Sequence, residues 1–127
     1  KTLDPITQDS CAFYERTAVF ADYDGVANGP QEGINISKAL ADKDFLILQN
    51  HGILTTGSMI DTTIWYFLNM EDACKSQLIA ESVGKPIKIP HDVACNTRDY
   101  VANDLSAFVS LQPLLDLLWE EEKDFLD

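Results

Sequence analysis

Two histidines, three cysteines and an excess of carboxylates are the groups in this chain that could do chemistry. His51 is distinguished by its position. It follows the apolar run Phe45-Leu46-Ile47-Leu48 and lies between Asn50 and Gly52, at the end of a candidate buried strand. Strand ends on rigid scaffolds are where sites are assembled. An imidazole there can ligate a metal through a neutral nitrogen or exchange a proton near neutral pH. His91, directly after Pro90, reads instead as a surface residue in a loop or first helical turn. Glu71 falls within an apolar helical stripe, where a carboxylate must find a partner or tilt to the edge of the face.

Other constellations are missing. The chain has no glycine-rich phosphate loop, no Gly-x-Ser-x-Gly elbow and no His-x-His, His-Glu-x-x-His or Cys-x-x-Cys spacing. A catalytic zinc takes three protein ligands and keeps one open position, and local spacing offers one ligand, His51. Cys11 and Cys74 occupy helix-like apolar positions and read as buried thiols. With Cys95 they make an odd set, which points to a reducing, cytoplasmic compartment, and no spacing recommends a zinc cluster of the three. The net charge of −12 and nine scattered basic residues exclude a nucleic-acid surface, which needs clustered Lys and Arg. No run of about 18 apolar residues exists to span a membrane. The acidic Glu120-Glu121-Glu122 tail is a solvated face, unsuited to a membrane surface.

The elements that must position these groups are legible in outline. Thr7 to Tyr14 reads as a short helix capped by Thr7, and Thr17 to Asp22 as a strand. Turns follow at Asp24-Gly25 and Asn28-Gly29-Pro30, with Pro30 opening a helix to about Asp42. Phe45–Leu48 suits a strand covered on both faces, and Ile53–Thr56 a second strand. Ser58-Met59-Ile60-Asp61 has the pattern of a capping box. The helix it opens places Ile60, Ile64, Phe67, Cys74 and Leu78 on one apolar face, up to the stop at Gly84 and Pro86. From Pro90 the pattern is helical again, with Leu111, Leu114, Leu115 and Leu118 in register and a kink or new start at Pro113. A sheet with so few strands leaves edges and helix faces uncovered, so the chain by itself is expected to expose apolar surface or self-associate.

Phe45 through Gly57, with Asn50-His51-Gly52 at its centre, resembles the strand-Asn-His-Gly-strand signature of the class II aldolase/adducin family. The likeness continues through Glu71-Asp72-Ala73-Cys74-Lys75-Ser76-Gln77-Leu78. Ile6-Thr7-Gln8-Asp9-Ser10 and Phe20-Ala21-Asp22-Tyr23 resemble its preceding segments, and Gln112-Pro113-Leu114 to Leu126-Asp127 is similar to fungal members. The resemblance implies an α/β fold: a three-layer α/β/α domain with a central, mostly antiparallel sheet. Residues 1–127 would form the C-terminal portion of one such domain with its N-terminal part missing, in keeping with a chain that opens at Lys1. In catalytic members a zinc ion is held by a His-x-His pair and the histidine of Asn-His-Gly, so His51 is the implied metal ligand. Asn50 and Glu71 are candidate supporting groups, Asn50 more simply as a turn former. The paired histidines, phosphate loop and acid/base carboxylate would lie upstream. The implied activity is that of a zinc-dependent aldolase or epimerase, a carbon-carbon lyase on a small hydroxy-carbonyl or sugar-phosphate-like substrate, in a homo-oligomer. The metal would act as a Lewis acid on the developing enediolate charge, and this portion alone would be inactive. Adducin-like members imply an alternative: a non-catalytic oligomerisation module for actin or another cytoskeletal partner, with His51 a packing remnant.

Overall fold

The structure, a computed structural model, describes residues 1–22, 25, 29–122 and 124. Parts of the expected turns, Asp24 and Asn28, and the final Leu126-Asp127 lie outside the described residues.

The apolar run forms β2 (Phe45–Leu48), the middle strand of a three-stranded sheet ordered β1-β2-β3. β1 (Thr17–Phe20) pairs with it in parallel, from Thr17 opposite Phe45 to Phe20 opposite Leu48. β3 (Gly52–Thr55) pairs antiparallel, from Phe45 opposite Thr55 to Leu48 opposite Gly52. The parallel pair is connected through α1 (Pro30–Leu40), the crossover such a pair requires. Phe45 and Leu46 are both fully buried. Neighbouring side chains on a strand point to opposite faces, so both faces are covered at this end of the sheet. Phe45 meets Tyr66 of α2 (Ile60–Val83), and α1, packed on β1 and β2, supplies the opposite layer. The continuous apolar run thus reflects an α/β/α arrangement around a mixed sheet.

The core centres on three rings. Phe13, Phe45 and Tyr66 meet edge-on, with centroids 4.9 Å apart for Phe13–Phe45 and Phe45–Tyr66 and 6.4 Å for Phe13–Tyr66. Phe13 ends a 3-10 helix (Asp9–Phe13). The N-cap is Gln8 rather than the expected Thr7, although Thr7, one residue outside, still accepts the Ser10 amide on Oγ1 at 3.1 Å, and the turn is tight rather than α-helical. Ser10 Oγ in return accepts the amides of Ile6 and Thr7 at 3.0 and 2.9 Å. α3 (His91–Val101) packs on this 3-10 helix, and α4 (Asp104–Glu121) packs on α2.

The N-terminal segment is fastened to the far end of α2. The Asp4 amide donates to Gln77 Oε1 at 2.7 Å, and the Ile89 amide to the Pro5 carbonyl at 2.7 Å. Asp4 Oδ1 receives Lys88 Nζ at 2.6 Å and Oδ2 faces Lys1 Nζ at 3.2 Å, while Lys1 also pairs with Glu81.

Three expectations need correcting. The core face of α2 is Thr62, Trp65, Tyr66, Met70, Ala73 and Gln77, whereas Ile60 and Leu78 are 78% and 70% exposed and Ile64 and Phe67 are also exposed. Both sets have helical spacing, because α2 is apolar on more than one side, and periodicity cannot choose between them. Ser58 does not cap α2. Its hydroxyl donates to Asp104 Oδ2 at 2.7 Å, joining Thr62 Oγ1, which donates to Oδ1 at 3.0 Å. The C-terminal helices break at Ala102-Asn103, where Asn103 Oδ1 accepts the Ser106 amide at 3.0 Å, and Pro113 lies inside α4. Leu111 is buried, but Leu114, Leu115 and Leu118 are exposed, as are Leu105 and Trp119. The chain does present the apolar surface expected of it.

Three outcomes follow. Phe45→Ala should cost about 3–5 kcal/mol in urea unfolding, since it empties the ring cluster. At Gly57 an added Cβ would lie 2.7 Å from Thr63 Oγ1 and 3.0 Å from the Thr63 amide nitrogen. Gly57→Ala should therefore cost about 1–3 kcal/mol in the same assay. Burial tends to raise the Asp4 carboxyl, but the hydrogen bonds and charges of Lys88 and Lys1 outweigh it and hold the carboxyl below its ordinary value. A depressed carboxylate stabilises the fold at pH above its unfolded pKa of about 3.9, and that contribution disappears as pH falls through the lowered value. Asp4→Asn should lose stability at neutral pH and flatten the acid limb of a stability–pH profile.

Candidate functional site

His51 closes the turn that connects β2 to β3. Leu48 and Gly52 face each other across the hairpin, leaving Gln49-Asn50-His51 as its tip. The His51 amide donates to the Leu48 carbonyl at 3.0 Å, and the Gln49 amide to the Phe20 carbonyl at 2.9 Å, so the tip is tied to both β2 and β1. The reversal is made by Asn50, whose φ of 60° is left-handed. Asparagine tolerates that conformation better than most side-chain-bearing residues. Asn50 is thus the turn former that its residue type suggests, and Gly52 is the first residue of β3.

The His51 side chain borders an open groove of about 450 Å³ between the hairpin and α2. Leu48, Ile53 and Leu54 line one wall and Ile64, Phe67 and Leu68 of α2 the other, with Thr55 and Thr63 also bordering it. Ile64 and Phe67, expected on the core face of α2, instead build this groove. Glu71 lies one turn beyond Phe67 but is not part of the lining. It is exposed, and its carboxylate pairs with Lys75 Nζ at 3.2 Å, one helical turn away. The structure thus brings Asn50 and His51 together and places Glu71 in a surface ion pair.

A second, polar cleft of about 410 Å³ lies where the ends of the sheet, α2 and α4 converge, lined by Arg16, Asp44, Ser58, Thr62, Tyr66 and Asp104 among others. Arg16 Nε donates to Asp44 Oδ2 at 2.7 Å, and its guanidinium carbon stands 5.0 Å from the Phe45 ring centre and 5.5 Å from that of Tyr66. Burial works against the Arg16 charge, but hydrogen bonding to Asp44 and Tyr66 more than compensates and raises its pKa. Asp104 is already engaged by Ser58 and Thr62. These polar groups satisfy one another and hold α4 to α2; the cleft is a structural joint. No local motif marks it, because its members come from five separate segments.

The thiols divide. Cys11 is fully buried, its Sγ donating to the Thr7 carbonyl at 3.3 Å, and burial raises its pKa. Half-buried Cys74 is raised by burial first and by the Glu71 charge second. Cys11 is thus the buried thiol expected, whereas Cys74 is only partly covered. Cys95 instead lies beside His91 and Glu15. Among the described residues these three form the one group of His, Cys, Asp or Glu side chains close enough together to share a metal ion, and His51 is not in it. No helix among the described residues is long and apolar enough to cross a membrane.

Comparison with known proteins agrees with this geometry. The profile of the class II aldolase and adducin N-terminal domain matches residues 1–78. The chain is 37% identical over 114 residues to decarboxylase NovR of Streptomyces niveus, covering 90% of this chain and 42% of that protein. It is 33% identical to the meiotically up-regulated gene 14 protein of Schizosaccharomyces pombe, covering 89% of this chain and 45% of that one. The structure superposes on L-fuculose 1-phosphate aldolase from Glaciozyma antarctica PI12 with a TM-score of 0.84 at 32% identity, over 98% of this chain and 46% of the aldolase. The chain thus spans less than half the length of these relatives. With the hairpin, the groove and the profile match in agreement, the chain belongs to the class II aldolase/adducin family.

Proposed function

We propose that this chain is the C-terminal portion of a metal-dependent, aldolase-type lyase domain acting on a small hydroxy-carbonyl compound, with His51 as one ligand of a divalent metal, zinc in the first instance. The observation that carries the reading is the His51 side chain at the tip of a hairpin braced to β1, bordering a groove large enough for a small substrate. Family membership and the fold shared with an L-fuculose 1-phosphate aldolase support it.

One imidazole does not hold a catalytic metal, which normally takes three protein ligands. No reaction step can therefore be routed through these residues alone. A metal bound there would stabilise, as a Lewis acid, the negative charge that develops on the substrate oxygen. This chain's own contribution is positional. The Leu48–His51 backbone hydrogen bond and the left-handed Asn50 set where the hairpin presents His51 at the rim, and the apolar walls offer contact to the substrate's carbon chain. A homo-oligomer in the cytoplasm is the accompanying proposal, supported by family membership and, for the compartment, by three free thiols.

A second reading, an adducin-like module that oligomerises or binds a cytoskeletal protein such as actin, is favoured by the exposed apolar residues of α2 and α4. Metal analysis and retro-aldol assays on the full-length protein separate the two. The lyase reading expects bound divalent metal, with His51→Ala losing it and reducing cleavage by about a hundredfold or more. A folded His51→Ala protein with undiminished metal and cleavage overturns that reading. Co-sedimentation with actin by a full-length protein without cleavage activity supports the module.

A further inference from the structure

On α3, His91 and Cys95 stand one turn apart and project from the same face of the helix. Glu15 reaches them from the turn between the 3-10 helix and β1. Its Oε1 is 3.7 Å from His91 Nδ1 and its Oε2 is 3.9 Å from Cys95 Sγ. Cys95 Sγ is 3.8 Å from His91 Nδ1 and 3.9 Å from Nε2. One donor atom from each of the three residues falls within 4.8 Å of the other two. A tetrahedral zinc with bonds of about 2.3 Å to sulfur and 2.0–2.2 Å to nitrogen and oxygen separates its ligands by roughly 3.3–3.6 Å. The separate contacts, which use different Glu15 oxygens, exceed that by a few tenths of an ångström, and one donor from each residue lies within 4.8 Å of the others, a gap that rotation of three partly exposed side chains can close.

The surroundings suit ligation. Tyr14 Oη stands 3.2 Å from His91 Nδ1, with the two rings edge-on at 5.9 Å. Metal-bound imidazoles ordinarily engage an outer partner, and the Tyr14 hydroxyl is within reach of this one. Arg98 approaches Glu15 Oε2 at 3.8 Å, but its charge is shared with Asp99 at 2.9 Å and the Tyr14 carbonyl at 3.4 Å. Glu15 holds φ at 60°, in the left-handed region, and from that turn its carboxylate faces α3.

We propose that Glu15, His91 and Cys95 form a binding site for zinc or a similar borderline divalent cation, separate from the groove at His51. The donor set of one thiolate, one imidazole and one carboxylate selects zinc over magnesium or calcium, which prefer oxygen ligands. Three protein donors leave a fourth position to water. Binding breaks only the Cys95 S–H bond: the sulfur pair goes to the metal, the proton goes to solvent, and no oxidation state changes. The ion would join α3 to the turn that enters β1, adding to the Arg98–Tyr14 and Arg98–Glu15 contacts across that interface.

Cobalt titration of the reduced, chelator-treated protein tests this. A sulfur-to-cobalt charge-transfer band should grow to saturation, independently of any cobalt held at His51, and be displaced by zinc. Cys95→Ser should abolish the band, and His91→Ala or Glu15→Gln should weaken binding by about tenfold or more. Cys74→Ser and His51→Ala should leave it intact. In the unmodified protein, zinc should slow alkylation of Cys95 about tenfold or more, by mass spectrometry, and leave Cys74 unchanged. Absence of the band, its survival in a folded Cys95→Ser protein, or no protection of Cys95 overturns the site.

Discussion

Arg16, held over the edge-on cluster of Phe13, Phe45 and Tyr66, couples three segments that are far apart in sequence. The rings bring the 3-10 helix, β2 and α2 into contact, and the guanidinium lies above two of them while Asp44 takes its charge. A partly buried cation needs such a partner, since leaving it unpaired costs several kcal/mol. The arrangement therefore fixes where β2 begins relative to α2. β3 follows from β2 by hairpin register, and the His51 tip follows from both. The groove between hairpin and helix inherits its width from this one aromatic and ionic joint.

The acidic chain uses its few cations as fasteners. Lys88 and Lys1 converge on Asp4 and tie the first residues to the end of α2, and Lys75 sits among Glu71 and Asp72 on the surface of that helix. Exposed pairs of the second kind contribute little. The first kind is reinforced by backbone bonds at Gln77 and Ile89, which is why the same chemistry matters at one place and barely at another. Arg98 performs the same bracing around Glu15 and Tyr14, so the side chains near Cys95 are held by a framework that does not require an ion.

Local signals in the sequence were reliable where one segment carries the whole signal. The run Phe45–Leu48 suited a strand covered on both faces, Pro30 a helix start, and Asn50-His51-Gly52 the link from that strand to the next. They failed where two segments had to be compared. α2 carries two apolar stripes with the same helical period, and the winner was chosen by Phe13 and Phe45, which lie outside the helix. Ser58 matched a capping pattern, yet Asp104, 46 residues away, offered its hydroxyl a charged acceptor. Glu71 resolved to the edge of its face, where Lys75 was available one turn on.

By itself the sequence determined the element order, the strand covered on both faces, the position of His51 at a strand end and the family to which the chain belongs. These depend on neighbours within about a dozen residues and on residue type. The tertiary structure alone decided which side of α2 is core and that Glu71 stays away from the groove. It also brought Glu15 to His91 and Cys95 across nearly eighty residues. Those outcomes depend on close-packed contacts between distant segments, and short-range periodicity carries no information about which distant partner arrives.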